Sequence, residues 1–221
     1  MHIVDLSLPL RPGMPGVSGD PLVRILPART HEVDGYQVSR ISLGSHAGTH
    51  LDAPRHLFPD GPTLDQYPVS RFLGPGVIID CRSEFGAEAI GASAADAARG
   101  ETHAPAKDAA PMIDVVALAE ELRSSPPEPG GMVLLWTEGA LLSTEGAQLL
   151  LDSGAGLVGT DGPGLDADPY PVHRLLLRQG ILLAENLQGL DQLGPGPVTC
   201  AFLPLNVIDA DGAPVRAVAW R

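Results

Sequence analysis

Short apolar runs bounded by glycine, proline or aspartate recur along this chain, and they constrain its fold more than any other feature. With 26 glycines and 22 prolines the chain is rich in turns, so its elements must be short. Residues 2–5, 36–43, 77–80, 132–136, 157–160, 181–185 and 200–208 read as strands. Helical patterns occupy 114–123, with Asp114 as N-cap, and 143–154, with Ser143 as N-cap and Gly154 as stop. A third, short helix covers 171–178 and ends before Gly180. The elements interleave irregularly and strands dominate. This pattern predicts a mixed α/β fold with a mainly β core and peripheral helices, not a doubly wound sheet. Residues 83–112, Ala-rich with scattered charge, read as a loop or lid, and 124–131 as a turn-forming connector.

A chain of 221 residues fits one domain, here expected to be 1–221, and buries about 70% of its unfolded surface on folding. It needs no metal merely to fold, so a metal site in it would be catalytic. Cys81 and Cys200 are far apart and form neither a zinc knuckle nor a disulfide framework. The net charge of −13 would repel a phosphate backbone, which argues against nucleic acid as a partner. The start of the chain has no basic region followed by an apolar stretch, and no run approaches the length of a membrane span. These features predict a soluble, cytoplasmic protein.

The chemistry concentrates in His46-Ala47-Gly48-Thr49-His50-Leu51-Asp52-Ala53-Pro54-Arg55-His56, where three of the seven histidines fall within eleven residues. Neutral imidazole and carboxylate are donors that zinc and manganese accept. A helix would put His46 and His50 on one face, but Gly48 and Pro54 argue against helix there. In an extended strand the two would stand about 13 Å apart, too far to share one ion. The chain must therefore bend near Gly48-Thr49, and the segment reads as a strand end turning into a loop. Asp52 is the natural third donor, and its two oxygens allow it to bridge to a second ion. Candidates for that ion's other ligands are His173, at the start of the short helix, and Glu185, at the end of the strand that returns from it. A carboxylate in an apolar strand needs a partner, and a metal would be one. His56 lies just beyond the ligands and is placed to shuttle protons, as imidazole does near neutral pH; the alternative is a further ligand or a scaffold role. Asp161 and Asp166 are candidates for orienting the ligating imidazoles.

The complete His-x-Gly-Thr-His-x-Asp-Ala-Pro-x-His motif from His46 to His56 resembles the cyclase family, which includes bacterial kynurenine formamidase and isatin hydrolase. The resemblance continues in Val4-Asp5-Leu6-Ser7, Gly159-Thr160-Asp161, His173, Glu185-Asn186-Leu187 and Asp211-Gly212-Ala213-Pro214. It implies a swivelling β/β/α fold and a centre of one or two ions, Zn2+ or Mn2+. His46, His50 and Asp52 match ligands of the first ion, Asp52, His173 and Glu185 those of the second, and His56 the catalytic histidine. It also implies a homodimer or homotetramer acting on a small molecule. The expected reaction is hydrolysis of a small amide, as in arylformamidases. The alternatives are a cyclic amide of the isatin type, a cyclisation or dehydration, or a metal-binding protein without catalysis. The chain departs from the formamidases in residues 16–20, where Val17 stands instead of an aromatic, in Glu138-Gly139-Ala140, and in 83–112.

Overall fold

A computed structural model describes residues 1–14, 19–82 and 110–221. Its centre is a ring of strands. β4 (His50–Asp52), β5 (Leu73–Asp80), β6 (Met132–Trp136), β7 (Leu157–Thr160), β8 (Leu182–Glu185), β9 (Gly196–Pro204) and β10 (Gly212–Trp220) are linked in the order β10-β4-β8-β7-β6-β5-β9. The β9–β10 pairing closes the ring into a barrel-like sheet, and β1 (Ile3–Asp5) adds to the edge of β10. β5 to β8 run parallel, while β4, β9 and β10 join antiparallel. β2 (Arg24–Arg29) and β3 (Val38–Ser42), joined through the single turn α1 (His31–Asp34), form a separate antiparallel ribbon.

The alternation of side chains along each strand splits the apolar residues between two cores. Leu51, Leu134, Leu157, Leu182, Phe202 and Ala217 fill the ring interior. Val133, Leu135, Val158 and Leu183 face outward against Leu118, Leu150 and Leu176 of the helices. This explains why β6 reads Met-Val-Leu-Leu-Trp with no polar alternation: both of its faces are covered. The helices start where the sequence predicts. Asp114 accepts the amides of Val116 and Ala117 at the head of α2 (Val115–Ser124), and Ser143 that of Gly146 in α3 (Thr144–Asp152). Pro171 opens α4 (Pro171–Arg178), and Gly180, at φ 76°, follows its end. No described helix is long and apolar enough to cross a membrane.

The mixed α/β class with a mainly β core and peripheral helices is as expected, and three local readings change. The strand expected at 200–208 is Gly196–Pro204, because pairing with both β5 and β10 sets its bounds and the chain must then turn back into β10. Leu205, Val207 and Ile208 are exposed in that turn. β2 and β10 are strands that no apolar run announces. The expected order of strand, then loop, in the histidine segment is reversed: residues 46–49 turn, and β4 follows. β4 is a strand because it lies between β8 and β10, which satisfy its backbone on both edges. The loop expected at 83–112 falls mostly outside the described residues.

Candidate metal centre

β4 carries the centre of the site. Leu51 points into the ring, so His50 and Asp52 point outward, to the side that α4 covers. In the antiparallel register His50 lies opposite Glu185. The bend expected at Gly48 is present, with φ 65°, and it brings the His46 and His50 rings to 5.1 Å between centroids. Thr49 secures the bend, accepting the Leu8 amide at 2.7 Å and donating to the Asn186 carbonyl at 2.6 Å.

Around Asp52, which is 2% exposed, three imidazoles converge. His46 Nδ1 lies 2.7 Å and His50 Nε2 3.3 Å from Asp52 Oδ1, and His173 Nε2 4.0 Å from Oδ2. Glu185 completes the group, with Oε1 2.8 Å from His173 Nε2 and Oε2 3.4 Å from His50 Nε2. The helix α4 followed by the returning β8 therefore does bring His173 and Glu185 together. Among the described residues two sets each hold one donor atom per residue within 4.8 Å: His50, Asp52 and Glu185, and His46, Asp52 and His56. Asp52 belongs to both.

The outer nitrogens fix which ring face is available. His50 Nδ1–H donates to the Gly48 carbonyl at 2.8 Å, and His173 Nδ1–H donates to Asp166. Each ring thus turns Nε2 inward, where a neutral imidazole has its lone pair. Asn186 Nδ2 donates to the same Gly48 carbonyl at 3.1 Å. Asp166 also accepts the Val172 amide at 2.6 Å, which ties it to the first turn of α4. Asp161, expected to orient an imidazole too, does not do so. It accepts from the Thr137 amide and hydroxyl and the Glu138 amide, at 2.8, 2.6 and 2.9 Å, because the turn after β6 lies across the end of β7.

The electrostatics follow from this packing. Burial opposes charge on His50, but hydrogen bonds to Asp52 and Glu185 outweigh it and raise the imidazole well above its ordinary value. The same contest, with Asp166 and Glu185 as partners, pushes His173 up to about 10, and Asp52 raises His46. Burial would push Asp52 up, yet His46 and His50 hold it well below the usual carboxylate range. Glu185 is likewise lowered, by His173 and His50, against burial and the Asp52 charge. Two buried carboxylates surrounded by oriented imidazole nitrogens are a donor set that fits a divalent ion.

His56 sits at the open side, its ring 4.1 Å from that of His46 between centroids. Spacing alone does not bring Asp211 to this place. Its Oδ2 lies 2.9 Å from His46 Nε2 and 3.6 Å from His56 Nδ1, because β10 pairs Gly212 with Asp52. The signal that includes it is the family resemblance, which runs through Asp211-Gly212-Ala213-Pro214.

The family model Cyclase matches residues 4–167. Kynurenine formamidase of Salinibacter ruber (strain DSM 13855 / M31) is 30% identical over 224 residues, covering 99% of this chain and 97% of its own. Kynurenine formamidase of Paracidovorax citrulli (strain AAC00-1) is 31% identical, covering 97% and 94%. Among solved structures, isatin hydrolase A from Labrenzia aggregata, bound to benzyl benzoate, superposes with a TM-score of 0.79 at 23% identity. It covers 99% of this chain and 93% of its own, which shows a shared fold.

Proposed function

This chain belongs to the Cyclase family, and on that premise we propose that it is a metal-dependent hydrolase cleaving the C–N bond of a small non-peptide amide. One observation carries the reading. Asp52 and Glu185 are buried among His46, His50 and His173, and the outer nitrogens of His50 and His173 are committed to Gly48 and Asp166. We assign His46, His50 and Asp52 to one ion and Asp52, His173 and Glu185 to a second where two are bound, with Zn2+ or Mn2+ as the metal. Such an ion supplies Lewis-acid polarisation of a carbonyl and acidifies water.

The chain's own residues do the rest. The buried carboxylates and the anchored imidazoles hold their positions before substrate arrives, so no reorganisation is needed during reaction. His56, a third exposed at its side chain, faces the open side and delivers a proton to the departing nitrogen. The substrate proposed is an arylformamide such as N-formylkynurenine, by analogy with the two formamidases, and the protein works in the cytoplasm. The exposed apolar side chains Leu26 and Val38 on one face of the β2–β3 ribbon, and Ile41 on the other, support a homodimer or homotetramer that covers part of this ribbon.

The test is hydrolysis of N-formylkynurenine by chelator-stripped protein, before and after Zn2+ or Mn2+ is restored. Turnover that appears only with metal supports the reading. Metal binding without turnover of this substrate, or of isatin, would overturn the amide assignment. Product lacking solvent oxygen would point to cyclisation or dehydration.

A further inference from the structure

His46 differs from the other two imidazoles of the centre in how it is held. His50 and His173 turn Nε2 toward the carboxylates, whereas His46 turns Nδ1 toward Asp52, at 2.7 Å. Its Nε2 faces Asp211 Oδ2 at 2.9 Å. The ring also lies flush on the head of β10. A Cβ added to Gly212 would come within 2.6 Å of His46 Cε1, 3.0 Å of its Nδ1 and 2.8 Å of the Leu51 carbonyl oxygen, so a side chain there would displace the ring, the β10–β4 ladder or both. Gly212 pairs with Asp52 across the β10–β4 ladder, which ties the seat of the ring to the carboxylate it faces. The same Asp211 oxygen lies 3.6 Å from His56 Nδ1.

A neutral imidazole has one donor nitrogen and one acceptor. Whichever nitrogen donates to a fixed acceptor leaves the other free to bind an ion. We propose that Asp211 and Gly212 are a positioning pair: Gly212 seats the His46 ring, and Asp211 holds it as the Nε2–H tautomer, so that His46 offers Nδ1 to the ion. This rests on the metal-centre reading above. It makes the loop before β10 part of the metal site although none of its side chains is a ligand. Carboxylate partners of this kind change metal affinity by about 10–100-fold when removed.

The experiment measures zinc affinity by competition with a chromophoric chelator in the wild type, Asp211→Ala, Asp211→Asn and Gly212→Ala. Long-range 1H–15N correlation of the zinc-loaded wild type, with His46 assigned by substitution, reads its tautomer directly. The expected result is a proton on Nε2 of His46, with zinc held about 10–100-fold more weakly by Asp211→Ala. Asp211→Asn, whose amide oxygen still accepts, recovers part of that loss, and it carries the test if the alanine variant does not fold. A proton on Nδ1 of His46, or zinc held equally tightly by Asp211→Ala and the wild type, overturns the proposal while leaving the metal centre intact. A wild type that takes up no zinc would instead sink the metal-centre reading and this one with it.

Discussion

Loading the chelator-stripped protein with a divalent ion should release protons, and the structure says which ones. Three imidazoles face the buried carboxylates, and all three are raised above their ordinary 6.5, His173 to about 10. At pH 7 His173 is held protonated, and His46 and His50 are shifted in the same direction, whereas an ion requires imidazoles to be neutral. Asp52 and Glu185 are lowered and already ionised, so they contribute none. Filling the centre should therefore release about one proton per chain at pH 7 from His173, with the upward shifts of His50 and His46 adding to that release. For His173 alone, the gap between pH 7 and its value of about 10 costs about 4 kcal/mol of apparent affinity, at about 1.4 kcal/mol per unit. That cost shrinks as pH rises, so affinity should climb up to about tenfold per pH unit for each proton displaced, levelling off above the folded value. Titration calorimetry in buffers of different ionisation enthalpy counts the protons, and repetition from pH 6.5 to 8.5 gives the slope. Equal heats in all buffers together with a flat affinity would refute the reasoning, because the imidazoles would then already be neutral.

The same shifts set the stability of the metal-free protein. A histidine raised on folding adds stability that is complete below 6.5 and is lost as pH rises through its folded value, about 10 for His173. The lowered carboxylates add stability that is present above the ordinary values of 3.8 and 4.5 and is lost as pH falls. Stripped protein should thus be most stable between about 4.5 and 6.5 and weaken toward alkaline pH, while bound metal, which replaces the protons, should flatten the alkaline decline.

Three further changes test other parts of the structure. Gly48→Ala forces a left-handed alanine whose Cβ would stand 2.7 Å from Leu10 Cδ2; it should cost about 1–3 kcal/mol and weaken metal binding. Unchanged melting and unchanged affinity would mean that the bend is not what brings His46 to His50. Asp161→Ala strands the donors of Thr137 and Glu138 and should cost about 1–3 kcal/mol in urea unfolding with metal affinity preserved. Loss of metal there would return Asp161 to the role of orienting a ligand. Leu134→Ala, in the ring interior, should cost about 2–5 kcal/mol, and a loss well under 1 kcal/mol would show that the interior is not close-packed.

What the sequence reveals of this site depends on how far apart its parts lie along the chain. His46, His50, Asp52 and His56 are legible because they are crowded together, and the forced bend at Gly48 follows from the reach of an extended strand. His173 and Glu185 are legible because a helix and its returning strand bring their outer ends together, as the 2.8 Å contact bears out. Asp166 lies seven residues before His173, close enough for a local turn to join them. Asp211 is different in kind. It reaches His46 from 165 residues away, through a ladder whose register no local pattern announces. β10 itself is hard to see, because its interior positions are filled by the small residues Ala213, Val215, Ala217 and Ala219, and two of the positions between them are the apolar Val218 and Trp220. Small residues are what a closed ring accepts where β10 is flanked by β1, β4 and β9 together. The property that hides β10 in the sequence therefore also lets it pack against three neighbours, and that packing carries Asp211 and Gly212 to the metal centre.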